Sequence, residues 1–231
     1  MTEEEWEKAE LCGGMIQAIT RHEKDYLRRG RLLRQFAVLV LHDLKQHAHD
    51  SAFQSALATA EEYLDGEIGW RELEAVIHDS TVRYGPVSHE TVDLNELTLD
   101  GLKCLVKHQP HEAAISALGR RIRIQQQLNG VEGARYSDWL ENAISSQYAK
   151  VLREYFHNPF RPIAFDPSWR TSTAVALAQT MYDSREFGAM PILADALQDA
   201  GCEDDAILSH CRGDGPHVRG CWVVDLILRK A

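Results

Sequence analysis

Five residues towards the carboxy-terminal end carry the side chains that bind soft divalent metals: Cys202, His210, Cys211, His217 and Cys221. Zinc is held tetrahedrally by thiolate and neutral imidazole, so the set contains enough donors for one ion. The spacing is not that of a paired-cysteine knuckle, because no CxxC occurs. His210 and Cys211 are neighbours, and on a helix adjacent side chains diverge by about 100°. Cys221 opens the apolar run CWVVDLIL and reads more simply as a small core residue. Ordinary packing is the simpler expectation. No cofactor is required, and zinc is the one ion the tail is equipped to take.

A second cluster, His42, Asp43, His47, His49 and Asp50, places Asp43 and His47 one helical turn apart, where they could share a metal with His78–Asp79. Histidines gathered at the negative end of a helix explain the same residues without an ion. Arginines are concentrated at Arg28, Arg29, Arg31 and Arg34, as nucleic-acid phosphates require. Acidic residues interrupt the stretch at Glu23 and Asp25, so a solvated face paired with acidic groups is the plainer reading. Asp166, Asp195 and Asp225 are candidates to pair with Arg161, Arg170 or Arg219 as buried bridges. No GxSxG, P-loop, GxGxxG or HExxH signature is present. GDGPHVRG is glycine-rich, but Pro216 removes an amide donor from any phosphate cradle, so a tight turn is expected there.

The elements that must position these groups read as helices. Apolar residues recur at three-and-four spacing, with no convincing alternating run. The spacing predicts helices over about residues 3–20 (weakened by Gly13–Gly14), 24–46, 51–64, 70–78, 91–108, 110–128, 137–156, 171–183, 186–200 and 203–212, and over 218–229 a final helix or else a strand. The conflict at Pro191 is resolved if that helix starts at Met190–Pro191. The stripe Leu32, Leu33, Phe36, Leu39, Val40, Leu44, widened by Val38 and Leu41, marks the second helix as central. A second stripe runs through Trp139, Ala143, Ile144, Tyr148, Val151, Leu152 and Tyr155. Between Asn158 and Trp169 three prolines enforce an extended belt, pinned by Phe160, Ile163, Phe165 and Trp169.

The fold class is therefore all-α: about nine or ten helices, with an amino-terminal bundle over residues 1–156 and a carboxy-terminal helical module over 157–231, possible also as one continuous domain. The 231 residues carry a net charge of -10, which argues against non-specific binding to nucleic acid or anionic lipid. No apolar run nears ~20 residues, and the acidic start MTEEEWEKAE lacks a signal-peptide core. Five scattered cysteines are expected to stay reduced in the cytoplasm.

The segment NPFRP, FDPSWRTSTAVALAQTMYDSREF and MPILADALQDAGCEDDAILSHCRGDGPHVRGCWVVDLIL resembles the carboxy-terminal region of a family of uncharacterised bacterial proteins of planctomycete type, over about Arg153–Lys230. EEEW, LLRQFAV and ATAEEYLDGEIGWRELEA are similar, more loosely, to its amino-terminal part. VLVLHDLK stands where that family often has small residues or cysteines followed by paired arginines. The resemblance implies no established activity. Its tail recurs behind differing amino-terminal segments, which implies a reusable interaction module.

The expected function is a non-catalytic protein–protein interaction or scaffold protein, binding another protein or a second copy of itself. Phe160, Arg161, Trp169, His217 and Arg219 are its candidate contacts. A metal-dependent enzyme or metal-binding sensor, and a regulator that binds nucleic acid through Arg28–Arg34, are the alternatives.

Overall fold

The structure is a computed structural model, and it describes residues 1–45, 51–82, 101–107, 109–130 and 134–230, without the side chains of 134–139. His47, His49, Asp50, the side chain of Trp139, and the expected elements over 83–100, lie outside the described residues. Among those described there is no strand. Eleven α-helices are bounded: α1 (Glu3–Lys8), α2 (Cys12–His22), α3 (Tyr26–His42), α4 (Ser51–Asp65), α5 (Trp70–Val82), α6 (Pro110–Leu128), α7 (Ala134–Phe156), α8 (Ser172–Ser184), α9 (Met190–Asp199), α10 (Asp205–Arg212) and α11 (Trp222–Leu228). The protein is all-α, and no described helix is long and apolar enough to cross a membrane.

Local chemistry sets most of the boundaries. Thr2 and Glu5 form a reciprocal capping box on α1. Asp25 accepts from the amides of Leu27 and Arg28 to start α3, and Asp204 accepts from those of Ala206 and Ile207 to start α10. Pro110 and Pro191 sit in the first turns of α6 and α9, where a missing N–H costs nothing. Several boundaries differ from the sequence expectation: α5 runs on past His78 to Val82, and α7 starts at Ala134 ahead of Ser137. The first segment breaks at Ala9–Leu11, not at Gly13–Gly14, because Arg153 donates to the carbonyls of Trp6, Glu7 and Ala9 at 2.8, 3.1 and 2.6 Å and so closes α1. The helix expected to run to His108 gives way to turns from Lys103. There Arg34 donates to the carbonyls of Leu105 and Lys107. The last helix starts at Trp222 rather than Val218.

Buried apolar side chains fall into two clusters. The first gathers α1–α7, with α3 central: Leu32, Leu33, Phe36, Ala37, Val38, Val40 and Leu41 are all buried. Leu39, expected in that stripe, is only half-buried. On α7, Ile144, Tyr148, Val151, Leu152 and Tyr155 are buried as expected, but Ala143 faces solvent. The second cluster gathers α8–α11 around Met181, Leu193, Leu197, Ile207 and Trp222. The proline-rich belt bridges them: Phe160 packs on the first cluster, and Ile163, Phe165 and Trp169 pack on the second.

The arginine stretch has a structural explanation in place of a solvated face. Arg28 donates to the Tyr155 carbonyl at 3.0 Å and to Glu23 at 3.0 Å. Arg29 donates to the Thr20 and Glu23 carbonyls at 2.8 and 3.2 Å. Arg31 pairs with the buried Asp225 at 2.5 Å. Arginine donors thus satisfy the orphan carbonyls at the carboxyl ends of other helices, where the dipole also favours a cation. Arg170 does the same for the Ile227 carbonyl at 2.6 Å.

The expected bridges are also re-paired. Asp195 meets Arg212, Arg161 meets Glu3, Arg219 meets Asp65, and Asp166 caps the turn at Pro167–Trp169.

Candidate functional site

Two features lie where α7, α3 and α4 meet the carboxy-terminal module. The first is a cluster of four donor side chains, Glu154 and Cys221 buried and His210 and His217 half-buried, whose ligating atoms all lie within 4.8 Å of one another. Glu154 projects from the last turn of α7. His210 comes from α10, His217 from the turn after it, and Cys221 from the N-cap position of α11. Gly220 makes this delivery possible. Its φ is +99°, and a Cβ there would lie 3.0 Å from both the Gln35 amide nitrogen and the Tyr155 ring. Only glycine lets the backbone turn that sharply while lying against α3 and α7.

The hydrogen bonds of the cluster assign most of its protons. Trp222 Nε1–H donates to His210 Nδ1 at 3.2 Å, so the neutral His210 ring carries its proton on Nε2. That nitrogen faces Glu154 Oε2 at 3.4 Å and Cys221 Sγ at 3.3 Å. His217 Nε2 donates to the Gly213 carbonyl at 3.1 Å, which turns Nδ1 onto Glu154 Oε1 at 3.2 Å. Burial alone would raise the Glu154 carboxyl, but the hydrogen bonds from His210 and His217 overcome it and bring the group down to about 2. The same bond, donated to Glu154, lifts His217 above its ordinary value against the opposing effect of burial. Desolvation drives the Cys221 thiol well above its usual range. A solvent-open hollow of about 260 Å³, lined by Lys150, Arg153, Asp214 and Pro216, reaches Glu154, His210 and His217.

The second feature is a cleft of about 260 Å³ on the other side of His217. Val38, Leu39, Leu64, Tyr155, Phe187 and Val218 give it apolar walls. Its rim is charged but internally matched. Glu61 and Asp65 lie one turn apart on α4. Arg185 holds Glu61 with two bonds of 3.0 and 2.7 Å, and Arg219 holds Asp65 with two of 3.0 and 2.6 Å. His42 adds a third contact to Glu61 at 2.7 Å. The Arg185 bonds, ahead of His42, hold the Glu61 carboxyl below its ordinary value.

Of the metal donors expected from sequence, the structure brings together His210, His217 and Cys221. Cys202 and Cys211 are buried in the second apolar cluster and outside this group, with burial pushing Cys211 up to about 12. Glu154 was not expected. Its only sequence signal is an acid set among the apolar positions Val151, Leu152, Tyr155 and Phe156. In the other proposed cluster, His42 is turned to Glu61, and Asp43 accepts from the Tyr148 hydroxyl. His78 is exposed on α5.

The expected partner contacts are mostly internal tethers. Phe160 stacks on His22 with centroids 4.4 Å apart, Trp169 meets Phe165 edge-on at 5.4 Å, and Arg219 lies 4.3 Å over Tyr182. Arg161 is the most exposed, and it reaches Glu3.

Comparison with models of known protein families, with curated proteins and with solved structures returned no match.

Proposed function

We propose that this chain is a non-catalytic helical interaction protein whose inter-module cleft receives an apolar side chain of a partner chain. The observation that carries the reading is the contrast between the cleft's walls and its rim. The walls are aliphatic and aromatic, while the charged groups around them already hold one another in bidentate pairs. A carboxylate locked to a guanidinium is poorly placed to move a proton at neutral pH, but the same pairs give a rigid rim around an apolar anchor. Anchors of this kind carry much of the binding energy where a partner inserts one bulky side chain into a preformed pocket.

Leu39→Trp fills the cleft from a half-buried position and spares the core face of α3. The expected outcome is a partner, or a second copy, that associates with the wild-type chain and is lost from Leu39→Trp, while the two proteins melt alike by circular dichroism. Equal association by both proteins, or a strictly monomeric wild type with no specific partner, overturns the reading.

A further inference from the structure

We propose that Glu154, His210, His217 and Cys221 form a zinc-class metal site that fastens α7 to the carboxy-terminal module. These donors are separate from the walls and rim pairs of the cleft, apart from His217, which borders both. With bonds of about 2.0–2.3 Å, the edges of a tetrahedral zinc site are about 3.3–3.7 Å long. Of the six separations among four donors, His210 to Cys221 is 3.3 Å, and Glu154 lies 3.4 Å from His210 through Oε2 and 3.2 Å from His217 through Oε1, with all four donors within 4.8 Å of one another. The four donors therefore already surround one point, and the wider separations need only a small contraction to reach a tetrahedral edge.

Two further features match. His217 is held by the Gly213 carbonyl on its outer nitrogen, which leaves Nδ1 as the inward ligand, the usual arrangement around a bound metal. A divalent ion with one carboxylate, one thiolate and two neutral imidazoles is electrically neutral, which a buried site requires. Loading the site sends the Cys221 thiol proton to solvent, together with any proton held on His217 Nδ1. The hollow beside Asp214 supplies an entry path. Lys150 and Arg153 also line it, so the affinity must come from the two anionic donors rather than from the field at the mouth.

One contact opposes the ion. Trp222 Nε1–H occupies His210 Nδ1 and so keeps the proton on Nε2, the nitrogen that faces the other donors. Coordination through Nε2 moves that proton to Nδ1, and two donors then face each other. The Trp222–His210 bond is the element that yields when metal binds. Removing the indole N–H should therefore strengthen the site.

The test is titration of the full chain with cobalt(II), followed by competition with zinc. Wild type is expected to develop intense tetrahedral visible bands and a near-ultraviolet thiolate charge-transfer band, saturating at a single site per chain, and zinc should abolish both. Cys221→Ser should lose the charge-transfer band, and His217→Ala should weaken zinc by about 100-fold. Trp222→Phe, which keeps an aromatic ring but drops the donor, should bind zinc roughly fivefold tighter, the size of one ordinary hydrogen bond. The wild-type spectrum stands without any variant, so misfolded variants leave it decisive. Absence of bands at saturating cobalt overturns the site, as does a charge-transfer band that survives in folded Cys221→Ser. Zinc binding that weakens or stays unchanged in Trp222→Phe overturns the place of His210 in it.

Discussion

The interior of each half of the molecule and the seam between them are built from different chemistry. Inside the amino-terminal bundle, α3 packs Leu32, Leu33, Phe36 and Val40 against neighbours that are almost all aliphatic or aromatic. Inside the carboxy-terminal module, Met181, Leu193, Leu197 and Ile207 do the same. Where the halves meet, apolar contacts such as Val218 on the first cluster are joined by polar pairs: Arg31 with Asp225, Glu154 with His210 and His217, Glu61 with Arg185, and Asp65 with Arg219. Apolar packing is tolerant of how two surfaces slide over each other, because hydrophobic burial has no direction. Bidentate and charge-assisted bonds are not tolerant, since each demands its partner at one distance and angle. The cores supply the drive to fold, and the seam sets which face of α7 and α4 the module lies against.

The Arg31–Asp225 pair separates these roles most sharply. Asp225 is 1% exposed and Arg31 15%. Burial raises the Asp225 carboxyl and Arg31 only partly offsets it, so desolvation is the larger effect. Arg31→Met leaves a buried carboxylate without its partner and is expected to cost about 3–5 kcal/mol in urea unfolding. Replacing both, Arg31→Met with Asp225→Leu, should return stability to within about 1 kcal/mol of wild type or above it. If the double replacement stays as damaged as the single one, the pair contributes stability in its own right and the division drawn above fails.

Gly220 gives the next largest effect, and it tests the seam's geometry rather than its charge. Alanine there must hold φ near +99° and bring its Cβ to 3.0 Å from Gln35 and Tyr155. The expected cost is about 2 kcal/mol. Amide exchange should quicken in α11 and the Arg219–Cys221 segment more than in α3. Uniform acceleration through both halves would mean that the seam and the cores open as one unit.

Much of this arrangement was legible in the residues, and the parts that were not share a cause. The helix end after residue 128 and the start at Pro191 are local chemistry, readable over three or four positions, whereas Asp25 reads in sequence as an acid among arginines and in the structure caps α3. The seam is non-local. His217 finds Glu154 across 63 residues, and Arg28 finds the Tyr155 carbonyl across 127. Periodicity assigns an acid to solvent, so Glu154 is invisible until α10 and the turn after it cover that side of α7. Arginines on α3 read as a basic surface for the same reason, since a backbone carbonyl at a distant helix end leaves no mark in the sequence. Leu39 falls in the expected stripe but lines a cleft, because the stripe is wider than the surface available to bury it.

The smallest effect expected is a pH dependence carried by the cleft rim, and it asks whether the seam contributes stability at all. Arg185, first through its hydrogen bonds and then with help from His42, holds the Glu61 carboxyl below its ordinary 4.5. A carboxyl that binds its proton more weakly folded than unfolded stabilises the folded state fully above the unfolded value. That contribution disappears as pH falls through the lower folded value. The groups facing Glu61 are Arg185 and His42, with the Asp65–Arg219 pair one turn away. Wild type should therefore lose stability below pH 4.5 more steeply than Glu61→Gln. Because Arg185 is half in solvent, the difference should stay under about 1 kcal/mol. Arg185→Met should flatten the acid limb as Glu61→Gln does, since it removes the main cause of the shift. Parallel acid limbs in all three proteins would show the rim to be held in place by the apolar walls beneath it, with its charges following rather than directing the contact.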